Sequence, residues 1–244
     1  MEATTTTDIN KHMKTILGIL TSTAVLTLSA GPVFAQQPTV QERVAALKAS
    51  LAASQAILKQ YEWVETTAVS LKGEEKSRQM NRCYHGADGK VQKIPISTPA
   101  PEKKKRGLRG KIAESKKEEM TDHMKQAVAL VKMYVPPDQA KIQAAKDAGK
   151  VTLQPLLGQK AKLTFADYLK AGDSLAIEVD LASNRPVQAQ VSTYLESQKE
   201  PVSLNVQFGA LDNNATYAST VVLEAKAKNL TVNVQNTGYR KASN

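Results

Sequence analysis

The sequence predicts an α+β fold: a strongly curved antiparallel sheet of about nine strands, an open or half barrel, with an N-terminal helix and a middle helix pair covering its concave face. Three observations carry that expectation. The hydrophobic period is 3.6 over residues 40–60 and again over 111–149, and it is 2 over most of the remainder. In the last third, apolar and polar residues alternate strictly, so each strand has one apolar and one wet face. The connections between those strands are short, which makes neighbours antiparallel. A long sheet with one apolar face needs a cover, and only the helices can supply it.

Thr39-Val-Gln-Glu42 reads as a capping box, the Thr hydroxyl taking the Glu42 amide while the carboxylate reaches back. The helix it opens runs to about Gln60, with Val40, Val44, Leu47, Leu51 and Leu58 along one stripe. Alanines fill much of the rest, so this helix can lie close against what it covers. Residues 62–71 are rich in β-branched and aromatic side chains and form a strand. Lys72-Gly73 turns it into a second strand, 76–84, and the glycines at 86 and 89 turn that into a third, 91–96. A helix over 111–134 sets Met120, Met124, Val128, Val131 and Val135 on one side, and Pro136-Pro137 breaks it. A short alanine-rich helix over 138–149 ends at Gly149.

The remaining strands are 161–165, 174–181, 187–195, 202–208, 217–225 and 230–239. Alternation places Leu175, Ile177, Val179, Val191, Leu204 and Val206 on the apolar face. Either a ligand or the covering helices must meet them there. Met120 and Met124 join them from the middle helix, where thioethers suit a surface that repacks easily; plain core is the other reading of these two.

The N-terminus has the three parts of a secretory signal peptide. Lys11 and Lys14 give a positive start, 15–31 is uncharged and mostly apolar, and Val33-Phe34-Ala35 sets small residues at −3 and −1. Cleavage is expected after Ala35, so that 1–35 is the signal and 36–244 a single half-barrel domain; translation starts at Met1 or Met13. An uncut anchor is the alternative, although 15–31 is rich in Thr and Ser and short of the roughly 20 apolar residues that span a bilayer. Cys83 is the single cysteine, which excludes both an intrachain disulfide and a lipid-modified cysteine at the cleavage point. The expected compartment is a Gram-negative periplasm, with secretion as the alternative.

The chain carries a net charge of +10. Outside the cytoplasm such charge meets lipid headgroups, cell-wall polyanions or acidic proteins rather than nucleic acid. Its densest cluster is Lys103, Lys104, Lys105, Arg106, Arg109 and Lys111, in a Pro-flanked loop expected over 97–110. Near an anionic membrane each basic side chain contributes about 1 kcal/mol of attraction. The alternative is an ordinary solvated connection.

Candidate chemistry is sparse. Cys83 and His85 lie two apart on one strand face, but a metal needs about three or four ligands and His123 is the only other histidine after residue 35. They are read as a small buried thiol and a strand-edge imidazole. Glu178 with Asp180, and Asp167 with Asp173, are read as solubilising charge rather than acid–base pairs. No nucleophile elbow or phosphate-cradling glycine loop is present in the sequence. The chain is therefore expected to have no catalytic residue, no metal and no cofactor, and no partner protein is indicated.

The element order behind a signal peptide resembles the LolA/LolB-like superfamily of periplasmic carriers of outer-membrane lipoproteins, and the mycobacterial lipid-binding lipoproteins of the same shape. Within it the chain is most similar to exported proteins sharing the runs K-K-K-R-G-L-R-G-K at 103–111 and Y-V-P-P-D at 134–138. The resemblance implies an apolar cavity between sheet and helices that accepts acyl chains, and hence a lipid or apolar small molecule as ligand; it assigns no residue a role. With three Phe and one Trp, little aromatic lining is expected. The rival expectation is an envelope structural or assembly module whose concave face is filled by its own helices.

Overall fold

The structure, a computed structural model, describes residues 39–96 and 108–242. Residues 1–35, expected to be a signal peptide, and the basic residues Lys103, Lys104, Lys105 and Arg106 lie outside them. Helix α1 (Val40–Leu58) starts at the capping box, with Thr39 Oγ1 accepting from the Glu42 amide and the Glu42 carboxylate accepting from the Thr39 amide at 2.7 Å. Three strands follow, β1 (Tyr61–Leu71), β2 (Glu74–His85) and β3 (Val91–Pro95), then helices α2 (Leu108–Val131) and α3 (Gln139–Asp147). Strands β4 (Val151–Leu156), β5 (Lys160–Ala166), β6 (Ser174–Asp180), β7 (Arg185–Tyr194), β8 (Pro201–Ala210), β9 (Thr216–Ala225) and β10 (Leu230–Lys241) complete the fold.

All ten strands form one antiparallel, unclosed, curved sheet in the order β3-β2-β1-β10-β9-β8-β7-β6-β5-β4. The expected α+β half barrel with helical cover is therefore present, with one strand more than expected. The extra strand is β4, which carries Pro155 and pairs only with β5. A proline lacks the amide that a central strand would need, so it fits an edge strand and hides the strand from a sequence reading. The second departure is at α2, which begins at Leu108, so Arg109 lies in its first turn and not in a loop reaching 110.

Helices cover the apolar face of the sheet. Leu47 of α1, Ala127, Leu130 and Val131 of α2, and Ile142 and Ala145 of α3 pack in one cluster with Leu163, Leu175, Ile177, Val179, Val191, Leu204 and Val206. The buried line of α2 is His123, Ala127, Leu130 and Val131, continued by Tyr134 in the turn that follows. Met120, Met124 and Val128 flank that line and are half-buried. The expected stripe is thus rotated by about one position. The cause is Tyr134, whose hydroxyl disguises a core residue.

Two polar ties fix the helices on the sheet. Ser54 is buried; its hydroxyl donates to Ser50 O at 2.8 Å and accepts from the Thr216 amide at 2.9 Å, holding α1 to the start of β9. Leaving such a buried donor without an acceptor costs about 1–3 kcal/mol. Tyr134 is fully buried; its phenol donates to Asp173 Oδ2 and lies 2.7 Å from the Thr193 hydroxyl. Asp173, itself buried, also accepts from the Lys170 amide at 2.8 Å. It is a structural acceptor, and the expectation that it solubilises a loop is corrected. Just beyond, Asp138 caps α3 through the amides of Ala140 and Lys141, while its own amide donates to Tyr168 Oη at 2.7 Å. The run 134–138 thereby joins the end of α2, the start of α3 and the sheet.

Candidate functional site

The helical cover is incomplete beneath α1. Between α1, the segment Val135–Pro137 and the sheet lies a cleft of about 440 Å³. Leu47, Leu51 and Leu58 line it from α1, and Leu175, Ile177, Ala189 and Ala218 from the strands. One wall is aromatic, built from Trp63, Tyr217 and Tyr239, with Phe208 and His85 also lining the cleft.

The wall follows from strand register. Trp63 sits where the β1–β10 ladder shifts between Glu62 and Val64, and a bulge of this kind re-aims a side chain. Its indole stacks on Tyr239 at 5.5 Å between ring centroids and 11° between planes, and Tyr239 meets Tyr217 at 4.2 Å. His85 closes on the other edge of Trp63 at 5.6 Å. Trp63 Nε1 donates to Asn236 Oδ1 at 3.1 Å, and Asn236 Nδ2 donates to Ala218 O at 2.9 Å, so the indole is held by β10 and, through it, β9. Tyr217 lies directly over Gly209 of β8: a Cβ there would stand 2.9 Å from the ring. Only glycine permits that approach.

The chemistry of this wall is apolar. Burial, followed by the neighbouring Tyr217 phenol, pushes the Tyr239 phenol well above its ordinary range. Burial and then Glu65 raise the Cys83 thiol, so it stays protonated and is a poor nucleophile. Cys83 and His85 share a face as their spacing requires, and the ring that His85 touches there is Trp63. Among the described residues no three His, Cys, Asp or Glu converge as metal ligands. Asp180 accepts from the amide and hydroxyl of Ser183, at 2.8 and 2.7 Å, and Asp167 accepts from the Gly172 amide at 2.7 Å, so both serve turns.

Of the residues expected to face a ligand, Leu175 and Ile177 border the cleft. Val179, Val191, Leu204 and Val206 are buried in the core under the helices. Met120 and Met124 line a different groove, at the far end of the strands. Arg109 and Lys111 belong to the backbone of α2. The low Phe and Trp content hides the aromatic wall, because two of its rings come from the seven tyrosines. The available signal was positional, since Tyr217 and Tyr239 fall inside alternating strands.

No protein-family profile and no curated protein sequence matches the chain. Among solved structures it is similar to a LolA superfamily protein from Nitrosomonas europaea, at 11% identity and a TM-score of 0.36, over 81% of this chain and 94% of that one. A domain described as an outer membrane lipoprotein-sorting protein, from Vibrio parahaemolyticus, is similar at 9% identity and a TM-score of 0.37, over 82% and 94% of the two chains. A DUF1329 family protein from Desulfovibrio piger is similar at 10% identity and a TM-score of 0.32, over 80% and 93%.

Proposed function

We propose that this chain is a periplasmic protein, exported by a signal peptide cut before Gln36, that carries a lipid or other apolar ligand in the cleft beneath α1. In this reading Lys103, Lys104, Lys105, Arg106, Arg109 and Lys111 meet an anionic membrane during loading or release. The supporting observation is the cleft itself: about 440 Å³ of apolar, aromatic-walled space beside the packed core. That volume is in the range of small-molecule sites. A hydrocarbon chain entering it gains about 0.8 kcal/mol for each methylene withdrawn from water.

Trp63 is the only tryptophan and lines the cleft, so its emission reports occupancy without added labels. Titration of delipidated protein with a dibrominated long-chain fatty acid is expected to quench Trp63 saturably at one equivalent, whereas a short dibrominated acid leaves it unchanged. Absence of quenching, together with no lipid in native mass spectra of freshly purified protein, overturns the carrier. In a second arm, replacing Lys103, Lys104, Lys105 and Arg106 by Gln weakens sedimentation with anionic vesicles, and added salt weakens the wild type likewise. Equal binding of variant and wild type reduces the run to a linker.

A second reading has its own observation. Val179, Val191, Leu204 and Val206 are covered by the protein's own helices, as an envelope structural or assembly module would need.

A further inference from the structure

At the opposite end of β1, β9 and β10 from the aromatic wall lies a second groove, of about 680 Å³. It is separate from the cleft: Trp63 and Leu71 are eight residues apart along β1, which is about 25 Å of strand. One side is the β1–β2 turn, another is α2, and the third is the turn between β9 and β10. Val69, Leu71 and Leu230 supply apolar surface from the strands, and Met120 and Met124 from the helix.

The rim of this groove has a strongly biased charge. Lys72 and Lys76 come from the hairpin, Lys116 and Lys117 from α2, and Lys228 from the β9–β10 turn; among the described residues Glu119 is the only acidic one lining it. Glu119 is matched by Lys228 at 2.6 Å, a pair that ties α2 to the turn, and Lys76 is matched by Glu74 from outside the groove. Apart from these pairs, Lys72 on the hairpin and Lys116 on α2 place an excess of positive charge on either side of an apolar floor. A purely apolar occupant would leave that excess facing itself. A free anion would leave the floor wet. An amphiphile with an anionic head satisfies both, because lysine ammoniums reaching in from separate elements can each meet an oxygen of one phosphate.

We propose that this groove is a second ligand site, which takes a single phospholipid molecule with an anionic headgroup, its chain on Met120, Met124 and Leu71 and its phosphate between Lys72 and Lys116. The site is independent of whether the cleft beneath α1 carries a ligand.

The test uses the full mature chain labelled with ¹³C-methyl methionine and titrated with lysophosphatidylglycerol below its micelle concentration. The Met120 and Met124 methyl resonances shift, whether or not Trp63 emission also responds to lipid in the cleft. Calorimetry gives lysophosphatidylglycerol about a tenfold advantage over lysophosphatidylcholine, the scale expected when two lysines face an anionic head. Lys72→Gln with Lys116→Gln, both at exposed positions, removes that advantage and leaves lysophosphatidylcholine affinity unchanged. Inorganic phosphate at millimolar concentration does not displace the lipid. The proposal is overturned if the two lipids bind equally, if the advantage survives the double variant, if phosphate alone competes, or if the methionine methyls stay still while Trp63 responds. The last outcome assigns the lipid to the cleft. Failure at the cleft is read from Trp63 and failure here from the methionines, so the two proposals fall separately.

Discussion

Replacing Tyr134 by alanine is expected to lower folding stability by about 3–5 kcal/mol, the cost of deleting a large buried ring whose space cannot collapse. The ring has no exposed surface and lies 5.6 Å from Tyr168, which in turn lies 6.3 Å from Phe165. Its phenol also gives the buried Asp173 carboxylate a donor. Tyr134→Phe keeps the ring and removes only that donor, at a cost of about 1–3 kcal/mol. Equilibrium urea denaturation of the two variants separates shape from hydrogen bonding. A neutral Tyr134→Phe would show that the bond to Asp173 adds nothing to stability. A pH signature accompanies it. Burial, then Asp173, raise the Tyr134 phenol above its usual range, so the folded chain holds this proton more tightly than the unfolded one. Its contribution is complete below the unfolded value near 10 and is lost as pH rises above it. Tyr134→Phe should lose less stability than the wild type between neutral and strongly alkaline pH.

The same residue marks how far local pattern reaches. Among the described residues, alternation and helical stripes identify nine of the ten strands and all three α-helices, because burial on one face writes its period directly into the chain. Pairing between distant strands leaves no such trace. β1 lies beside β10, with Leu71 opposite Leu230, and that contact assembles Trp63, Tyr217 and Tyr239 from three strands. No spacing in the sequence announces it. Polar core residues are equally silent: Ser54, Tyr134 and Asp173 look like surface or loop residues until their partners are known. Helix stripes are legible only to within a position, which is why Met120 and Met124 emerge beside the packed line of α2 and leave room for a groove. The basic run at 103–106 remains a reading of sequence alone.

The cleft and the packed core make opposite demands on one sheet face, and two enlargements distinguish them. Val206 is 4% exposed and sits among helical side chains, so Val206→Phe has nowhere to put its ring. Overpacking of this kind costs about 1–3 kcal/mol. Ala218 lines the cleft opposite Phe208 and is only half-buried, so a ring added there enters open space. Ala218→Phe is expected to change the urea midpoint little while abolishing the quenching of Trp63 by dibrominated fatty acid. Val206→Phe is expected to lower the midpoint clearly and, in the fraction that remains folded, to leave quenching intact. This pairing of effects requires an open cleft beside a filled core. If Ala218→Phe destabilises as much as Val206→Phe, and wild type shows no quenching, the face is closed by its own helices and the structural module stands in place of the carrier.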